Sequence, residues 1–295
     1  MIRSFAELVS VARSGEAKRV VIAGCGNKAV VEAVRHAAEE EFSVPILIGN
    51  EKDVEQALPH FPAEAFVLTF TEEDDRSIAD TAVSLIMNGE GDILLKGSVS
   101  TELLMKAVLN KKAGIRDFDL LSDCFLFETD DRIVTITDGG VVLYPDVDQK
   151  QRLIENAVRL YHSLGYEEPK VAVCAAIENV NEKMQATVDA AELTRRNREG
   201  ELTGCIVDGP LALDLALSQE ALAIKGVESP LNGSADILVM PNIEVANMVA
   251  KSTQYIAGKE AAHIIMGASN PVLIPSRSDT ARGKYLSIAL AVAVS

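Results

Sequence analysis

The chain has 295 residues, enough for one large or two medium domains, and 48% of them are apolar while only 4% are aromatic. Its formal net charge of −16 argues against nucleic acid and anionic membrane surfaces as partners. Four widely spaced cysteines and four histidines show no metal-ligand spacing, which argues against both a zinc site and a disulfide framework. Because there is no signal-peptide pattern and no apolar run long enough to span a bilayer, we expect a soluble cytoplasmic protein.

Strand-like and helix-like patterns alternate along the first half of the chain. The predicted strands lie at 19–23, 45–48, 66–68 and 92–95. The predicted helices lie at 29–40, 76–88 and 101–109. This rhythm is typical of a doubly wound α/β layer. Gly24-Cys25-Gly26 lacks the third glycine of a dinucleotide fingerprint, so we interpret it as a tight strand-to-helix turn and not as an NAD site.

The middle of the chain predicts a β-hairpin, with strands at 125–127 and 132–136 around an acidic turn. Alternation then resumes, with strands at 170–175, 204–207, 236–240 and 272–274 and helices at 149–164, 183–199 and 245–262. We place a domain boundary at the hairpin and expect the last helix to return to the first domain. The predicted domains are residues 1–130 with about 277–295, and residues 131–276.

Pro275-Ser276-Arg277-Ser278-Asp279 lies between a predicted strand and a run of small residues. Backbone N–H groups and the positive end of a helix favour an anion at such a turn, and the Arg277 guanidinium fits phosphate oxygens in pairs. The alternative is a helix cap by Ser276 or Ser278, with a surface ion pair between Arg277 and Asp279.

A second polar segment, Lys96 to Thr101, also follows a predicted strand. The ammonium of Lys96 and the hydroxyls of Ser98 and Thr101 suit a phosphate, although the spacing of a P-loop is absent. The alternative is a capped helix with a solvated lysine. Arg116, in the loop after this helix, is either a second anion clamp or an ordinary surface arginine. The turns after 136, 175, 207 and 240 suit helix caps as well as ligands.

Taken together and in this order, these segments resemble the phosphate butyryltransferase and phosphate acetyltransferase family. Besides the segments around Lys96, Arg116 and Arg277, the matching pieces are 136–138, 205–214, 229–236, 241–247 and 284–289. The resemblance spans roughly residues 20–292. It implies a two-domain, three-layer α/β/α fold like that of isocitrate and isopropylmalate dehydrogenases, with the active site in the interdomain cleft.

The resemblance also implies a reaction, in which acyl-CoA and phosphate give acyl phosphate and CoA reversibly. Coenzyme A is then a substrate, no cofactor or metal is needed, and the protein forms a homodimer or a larger homo-oligomer. The 208–214 segment and the short chain are more similar to the butyryl branch than to the acetyl branch.

The residues that we assign to this site fall into two groups. The catalytic group is Ser276, Arg277 and Asp279, with Asp279 as the base that takes the thiol proton of CoA. The phosphate- and CoA-binding group is Lys96, Ser98, Thr101, Arg116, Asn242, Asn247 and Lys251.

The chain departs from the family pattern at three positions. Gly283 stands where the acetyltransferases carry an acidic residue, so an ion pair of Asp279 with Arg277 or Arg282 stays open as an alternative to the base. Ala246 replaces a glycine and Asn242 replaces an aspartate, which puts tight ligand binding in doubt.

Three other functions stay open alongside the butyryltransferase. The first is a phosphate acetyltransferase. The second is a non-catalytic domain that senses acyl-CoA or acyl phosphate, motivated by Ala246 and Asn242. The third is a metal-dependent hydroxy-acid dehydrogenase, which would require Asp208, Asp214 and Glu244 to converge on a divalent metal.

Overall fold

A computed structural model describes residues 1–61, 66–70, 74–111, 113–115 and 120–295 of the chain. These residues form two compact units. The first unit comprises Phe5–Asp119 and Ala261–Ser295, and the second comprises Met1–Ser4 and Leu120–Glu260. The division differs from the predicted domains, since 120–130 lie in the second unit and 261–276 in the first.

Helices and strands alternate as the sequence pattern predicts. The helices are α1 Phe5–Ser14, α2 Lys28–Glu39, α3 Glu51–Ala57, α4 Asp75–Met87, α5 Thr101–Val108, α6 Val147–Ser163, α7 Gln185–Arg198, α8 Leu213–Leu217, α9 Gln219–Lys225, α10 Ile243–Tyr255 and α11 Ala281–Ala293. The strands are β1 Lys18–Ala23, β2 Ser43–Asn50, β3 Phe66–Phe70, β4 Ile93–Lys96, β5 Ser122–Glu128, β6 Ile133–Thr137, β7 Lys170–Cys174, β8 Ile206–Leu211, β9 Ile237–Val239, β10 Ala261–Met266 and β11 Val272–Leu273. The fold is therefore mixed α/β.

The strands of the first unit lie in the order β3-β2-β1-β4-β11-β10. Neighbours from β3 to β11 are parallel, and β10 runs antiparallel to β11. Aliphatic residues of β1 and β4 are fully buried, as expected for a parallel sheet covered on both faces. Because β1, β4 and β11 are parallel neighbours, the turns that follow them lie side by side at one edge of the sheet.

The strands of the second unit lie in the order β5-β6-β9-β7-β8. The predicted hairpin is confirmed, since β5 and β6 pair antiparallel with Phe125 opposite Ile136. The other neighbours are parallel. Across both units, no helix of the described residues combines the length and hydropathy needed to cross a bilayer.

Two predicted elements differ most from the structure in their bounds. The helix predicted at 245–262 ends at Tyr255, and Gly258 follows in the left-handed region with a φ of 66°. The residues after it form β10, a strand that the sequence pattern does not predict. Asp208-Gly209-Pro210 is not a turn but part of β8, where Gly209 lies so close to β7 that a Cβ would be 2.7 Å from the Val173 carbonyl oxygen.

Candidate active site

Lys96, the last residue of β4, is a buried cation with only 5% of its surface exposed. The structure therefore contradicts a solvated lysine. Its Nζ lies 3.5 Å from the carbonyl oxygen of Gly97. Burial lowers the pKa of Lys96, the positive charges of Arg277 and Lys284 lower it further, and Asp75 acts weakly in the opposite direction. The first unit thus gathers three cations: Lys96, Arg277 and Lys284.

The turn that carries Lys96 is fixed against the turn after β1. The N–H of Ser98 donates to the Gly24 carbonyl at 2.7 Å, and a Cβ on Gly97 would overlap that same carbonyl. Gly24 has a φ of 85°, which confirms the tight turn predicted there. Ser98 is exposed, and Thr101 is the first residue of α5. The helix cap is Ser100, whose Oγ accepts from the Leu103 N–H at 3.2 Å.

The Ser276–Asp279 segment follows β11 and is closed by a buried carboxylate. Asp279 is 6% exposed, and its Oδ2 accepts from the Ser276 N–H at 2.7 Å. The hydroxyls of Ser276 and Ser278 lie 3.1 Å apart. Neither serine caps the following helix, in contrast to the predicted alternative. The cap of α11 is Thr280, whose Oγ1 accepts from the Gly283 N–H at 3.0 Å.

Arg277 is exposed, and within the described residues it makes no hydrogen bond or ion pair. The surface pair of Arg277 with Asp279 is therefore wrong. The Asp279 carboxylate lies instead 3.8 Å from Nε2 of His263, a residue to which the sequence analysis gave no role. Arg277 thus leaves its guanidinium available for a ligand.

Lys284 is a further residue of this site that the sequence analysis missed. It is 1% exposed at the fourth residue of α11, and its Nζ donates to the carbonyls of Ser276, at 3.2 Å, and of Asp279. The side chain therefore holds both ends of the turn that presents Arg277. Its position within the matching segment 284–289 was the available signal, but the surrounding run of small residues gave no reason to single it out.

Three further predicted site residues lie at α10, one at its N-cap and two within the helix. Asn242 caps this helix, with its Oδ1 accepting from the Val245 N–H at 3.1 Å. Asn247 is exposed and donates to the Gly139 carbonyl at 3.0 Å. Lys251 lies 5.8 Å from the centre of the Tyr255 ring. These three residues belong to the second unit.

Arg116 lies outside the described residues. Ala246 is fully buried, and its effect on ligand binding stays a prediction.

A pair of buried carboxylates, Asp123 and Asp138, was not predicted as an electrostatic feature. Asp138 follows β6, and its Oδ1 accepts from the N–H groups of Gly140, at 2.7 Å, and Val141, at 2.9 Å. Burial and then the neighbouring charge of Asp123 raise the pKa of Asp138 to about 7. Asp138 therefore organises a turn of the second unit, although burial and the charge of Asp123 disfavour its ionised form.

Two of the three acids that a metal-dependent dehydrogenase would require have cationic partners. Asp208 lies 3.6 Å from Arg198 and Asp214 lies 2.9 Å from Lys225. Across the residues that the structure describes, no group of three or more acidic, histidine or cysteine side chains is placed to hold a metal ion.

Comparison with known proteins identifies relatives that match most of the chain. The family model described as phosphate acetyl/butaryl transferase matches residues 66–292. Phosphate butyryltransferase of Clostridium acetobutylicum is 38% identical over 297 residues, covering 100% of this chain and 99% of the relative. Phosphate acetyltransferase of Thermotoga maritima is 39% identical over 290 residues, covering 96% and 97%.

A solved structure, the branched-chain phosphotransacylase from Enterococcus faecalis V583, superimposes with a TM-score of 0.85 at 30% identity. The match covers 94% of this chain and 98% of that one. The similarity thus extends over both units and is not confined to a shared motif. The chain belongs to the phosphate acetyl/butaryl transferase family.

Proposed function

We propose that this protein transfers a short-chain acyl group, butyryl in preference to acetyl, reversibly between coenzyme A and inorganic phosphate. Family membership supports the reaction class. The observation that carries the site assignment is the buried Lys96 beside Arg277. In a chain with a net charge of −16, such a group of cations is the local exception that an anionic substrate requires.

The electrostatics of the site favour a bound phosphate. Burial and two neighbouring cations disfavour the charged form of Lys96, as its lowered pKa indicates. A phosphate between Lys96 and Arg277 offsets both effects, because its negative charge attracts the ammonium and the guanidinium at once. Arg277 supplies paired donors to two phosphate oxygens, and Lys96 supplies a point charge.

The proposed chemistry needs no group beyond the two substrates and these side chains. A phosphate oxygen attacks the thioester carbonyl, the new C–O bond forms, and the C–S bond breaks to release the thiolate of CoA, which takes up the proton that the phosphate loses. Negative charge develops on the carbonyl oxygen, where Arg277 and the Ser276 hydroxyl act as donors. In the reverse direction the CoA thiol gives its proton to the base, the thiolate attacks the acyl carbonyl carbon, and the C–O bond breaks to release phosphate.

We keep Asp279 as the proposed base for the thiol proton of CoA, and its buried carboxylate, which accepts the Ser276 N–H, also orients Ser276. Thr101 and Ser98 contribute hydroxyls at the start of α5. We keep Asn247 and Lys251, on α10 of the second unit, as proposed CoA-binding residues. We further propose that the fold is of the isocitrate dehydrogenase-like type, that no cofactor is required, and that the protein acts as a cytoplasmic homo-oligomer.

Replacing Arg277 tests the site. The assay follows phosphate-dependent release of the CoA thiol from a panel of acyl-CoAs. Arg277→Ala is expected to lower kcat/KM by about 100-fold or more, since removing one preorganised oxyanion donor has an effect of that size. The circular dichroism spectrum and Tm should stay unchanged, because the side chain is exposed and without a partner in the described structure.

Arg152→Ala is the matched control, since Arg152 is also an exposed arginine, on α6, and its Nη1 lies 2.7 Å from the Glu155 carboxylate of the same helix. It should retain wild-type turnover. Equal turnover in both variants would show that the site is misplaced. Absence of turnover with every acyl-CoA in the wild-type protein would leave a sensing domain in place of an enzyme.

A further inference from the structure

The first unit contains a cavity of about 500 Å³ that none of the assigned site residues lines. Residues from the turn after β1, from α2 and from α3 form most of its wall: Cys25, Lys28, Val31, Arg35, Asp53 and Ala57. Its volume is in the range of small-molecule sites. It lies beyond the carboxyl ends of the parallel strands β1 and β2, where open α/β sheets bind ligands.

The lining combines apolar walls with polar groups at the rim. Val31 and Ala57 are almost fully buried and supply apolar surface. Gln56 and Lys28 are exposed at the rim, and within the described residues Lys28 has no carboxylate partner. The Asp53 carboxylate accepts from the Asn50 amide at 3.2 Å. A planar nucleobase packs against apolar walls of this kind, while its ring nitrogens, the ribose and a phosphate contact the polar groups.

The cavity lies close to the Lys96 turn, although no residue of that turn lines it. Cys25 follows Gly24, whose carbonyl accepts the Ser98 N–H at 2.7 Å. In the sheet, Ala23 at the end of β1 pairs with Lys96 at the end of β4. Since neighbouring strands lie about 5 Å apart, a long ligand with one end at Lys96 reaches this cavity with the other.

We propose that the cavity binds the nucleoside end of coenzyme A, adenosine 3′-phosphate, with Lys28 beside the 3′-phosphate. The inference rests on the proposed function, because CoA carries its reactive sulfur at one end and this nucleotide at the other. The sulfur lies at the Lys96 turn, the base lies between Val31 and Ala57, and Asp53 accepts hydrogen bonds from the base or the ribose.

The first test removes the charge of Lys28. Lys28→Ala should raise the KM for butyryl-CoA roughly fivefold, the size of effect expected for a solvent-accessible ion pair. The KM for butyryl-dephospho-CoA, which lacks the 3′-phosphate, should not change. Lys52→Ala is the control, since Lys52 is an exposed lysine of α3 that does not line the cavity.

The second test fills the cavity. Gln56→Trp adds a large side chain at an exposed rim position, so the fold should tolerate it. The KM for butyryl-CoA should rise by roughly tenfold or more, as expected when a ligand loses contacts of an aromatic ring. The KM values for butyryl-pantetheine and for phosphate should stay at wild-type levels.

A direct titration separates this inference from the proposed function. Adenosine 3′,5′-bisphosphate, the nucleotide fragment of CoA, should bind the wild-type protein in calorimetry and bind Gln56→Trp far more weakly. Equal binding to both proteins, or no binding to the wild type, overturns the inference. So does an equal rise of KM for butyryl-CoA and butyryl-pantetheine. A wild type without turnover refutes the proposed function, and the titration still decides the cavity.

Discussion

At the scale of single residues, burial decides which polar side chains matter. Lys96 and Asp279 stand in segments whose composition suits either a ligand site or a capped helix. Sequence composition cannot separate these cases, because both place hydroxyls and charges at a strand-to-helix turn. The structure separates them: Lys96 is buried, while the capping is done by Ser100 and Thr280.

Lys284 is a positioning residue for the turn that presents Arg277, and its replacement should separate function from stability. Lys284→Met removes the donors that hold the carbonyls of Ser276 and Asp279. The turn then loses its fixed geometry, and the KM for phosphate should rise by about tenfold, equivalent to roughly 1.4 kcal/mol. The KM for acyl-CoA should change much less. Steady-state kinetics with each substrate varied in turn measures the difference.

The control for Lys284→Met is a variant that destabilises the protein elsewhere. Asp146→Ala removes the N-cap of α6, in the second unit, and should lower the unfolding free energy by about 1 kcal/mol. Its KM for phosphate should match the wild type. If Lys284→Met raises both KM values equally, or lowers kcat alone, then Lys284 does not position the phosphate-binding turn.

At the scale of elements, periodicity predicted most helices and strands because their apolar faces are regular. The errors occur where packing overrides local preference. Residues after Gly258 have good helical propensity, yet they form β10 beside β11. Asp208-Gly209-Pro210 has turn composition, yet Gly209 allows β8 to continue close against β7. Neither neighbour is visible from the local sequence.

The turn after β6 provides a pH-dependent test of packing. The pKa of Asp138 in the folded protein, about 7, lies above the usual 3.8. Between these values the folded chain holds a proton that the unfolded chain has lost, so the unfolding free energy falls as pH rises. Asp123→Asn removes the neighbouring charge and should reduce this fall. The unfolding free energy of Asp123→Asn should exceed that of wild type by an amount that grows between about pH 5 and pH 8, to roughly 1 kcal/mol.

Urea unfolding at several pH values measures this difference. Asp130→Asn is the matched control, because it removes an acid from the turn of the same hairpin that is fully exposed, at 104% side-chain accessibility. The difference in unfolding free energy between Asp130→Asn and wild type should not vary with pH. A pH-independent difference for Asp123→Asn would contradict the interaction between the two carboxylates.

At the scale of the whole molecule, the sequence predicted that the chain returns to the first unit at about residue 277, whereas in the structure it returns at residue 261. The periodicity of apolar residues predicts where strands and helices lie, but it does not predict which strands pair with each other. β11 has only two residues, and its pairing with β4 assigns residues 261–276 to the first unit. Likewise β6 pairs with β9, which draws the hairpin into the second unit. Partner choice is a long-range property that one sequence does not reveal.

The discontinuous first unit should fail to fold without its C-terminal segment. α11 buries Leu286, Ile288 and Leu290 completely, and each such side chain contributes roughly 1.5–3 kcal/mol to burial. That sum is comparable with the whole stability of a domain, about 5–15 kcal/mol. A chain ending at residue 260 should therefore lose residues 5–119 to limited proteolysis while a fragment near 120–260 persists, with full-length protein resisting at both places. A resistant fragment spanning 5–119 would show that the first unit does not depend on α11.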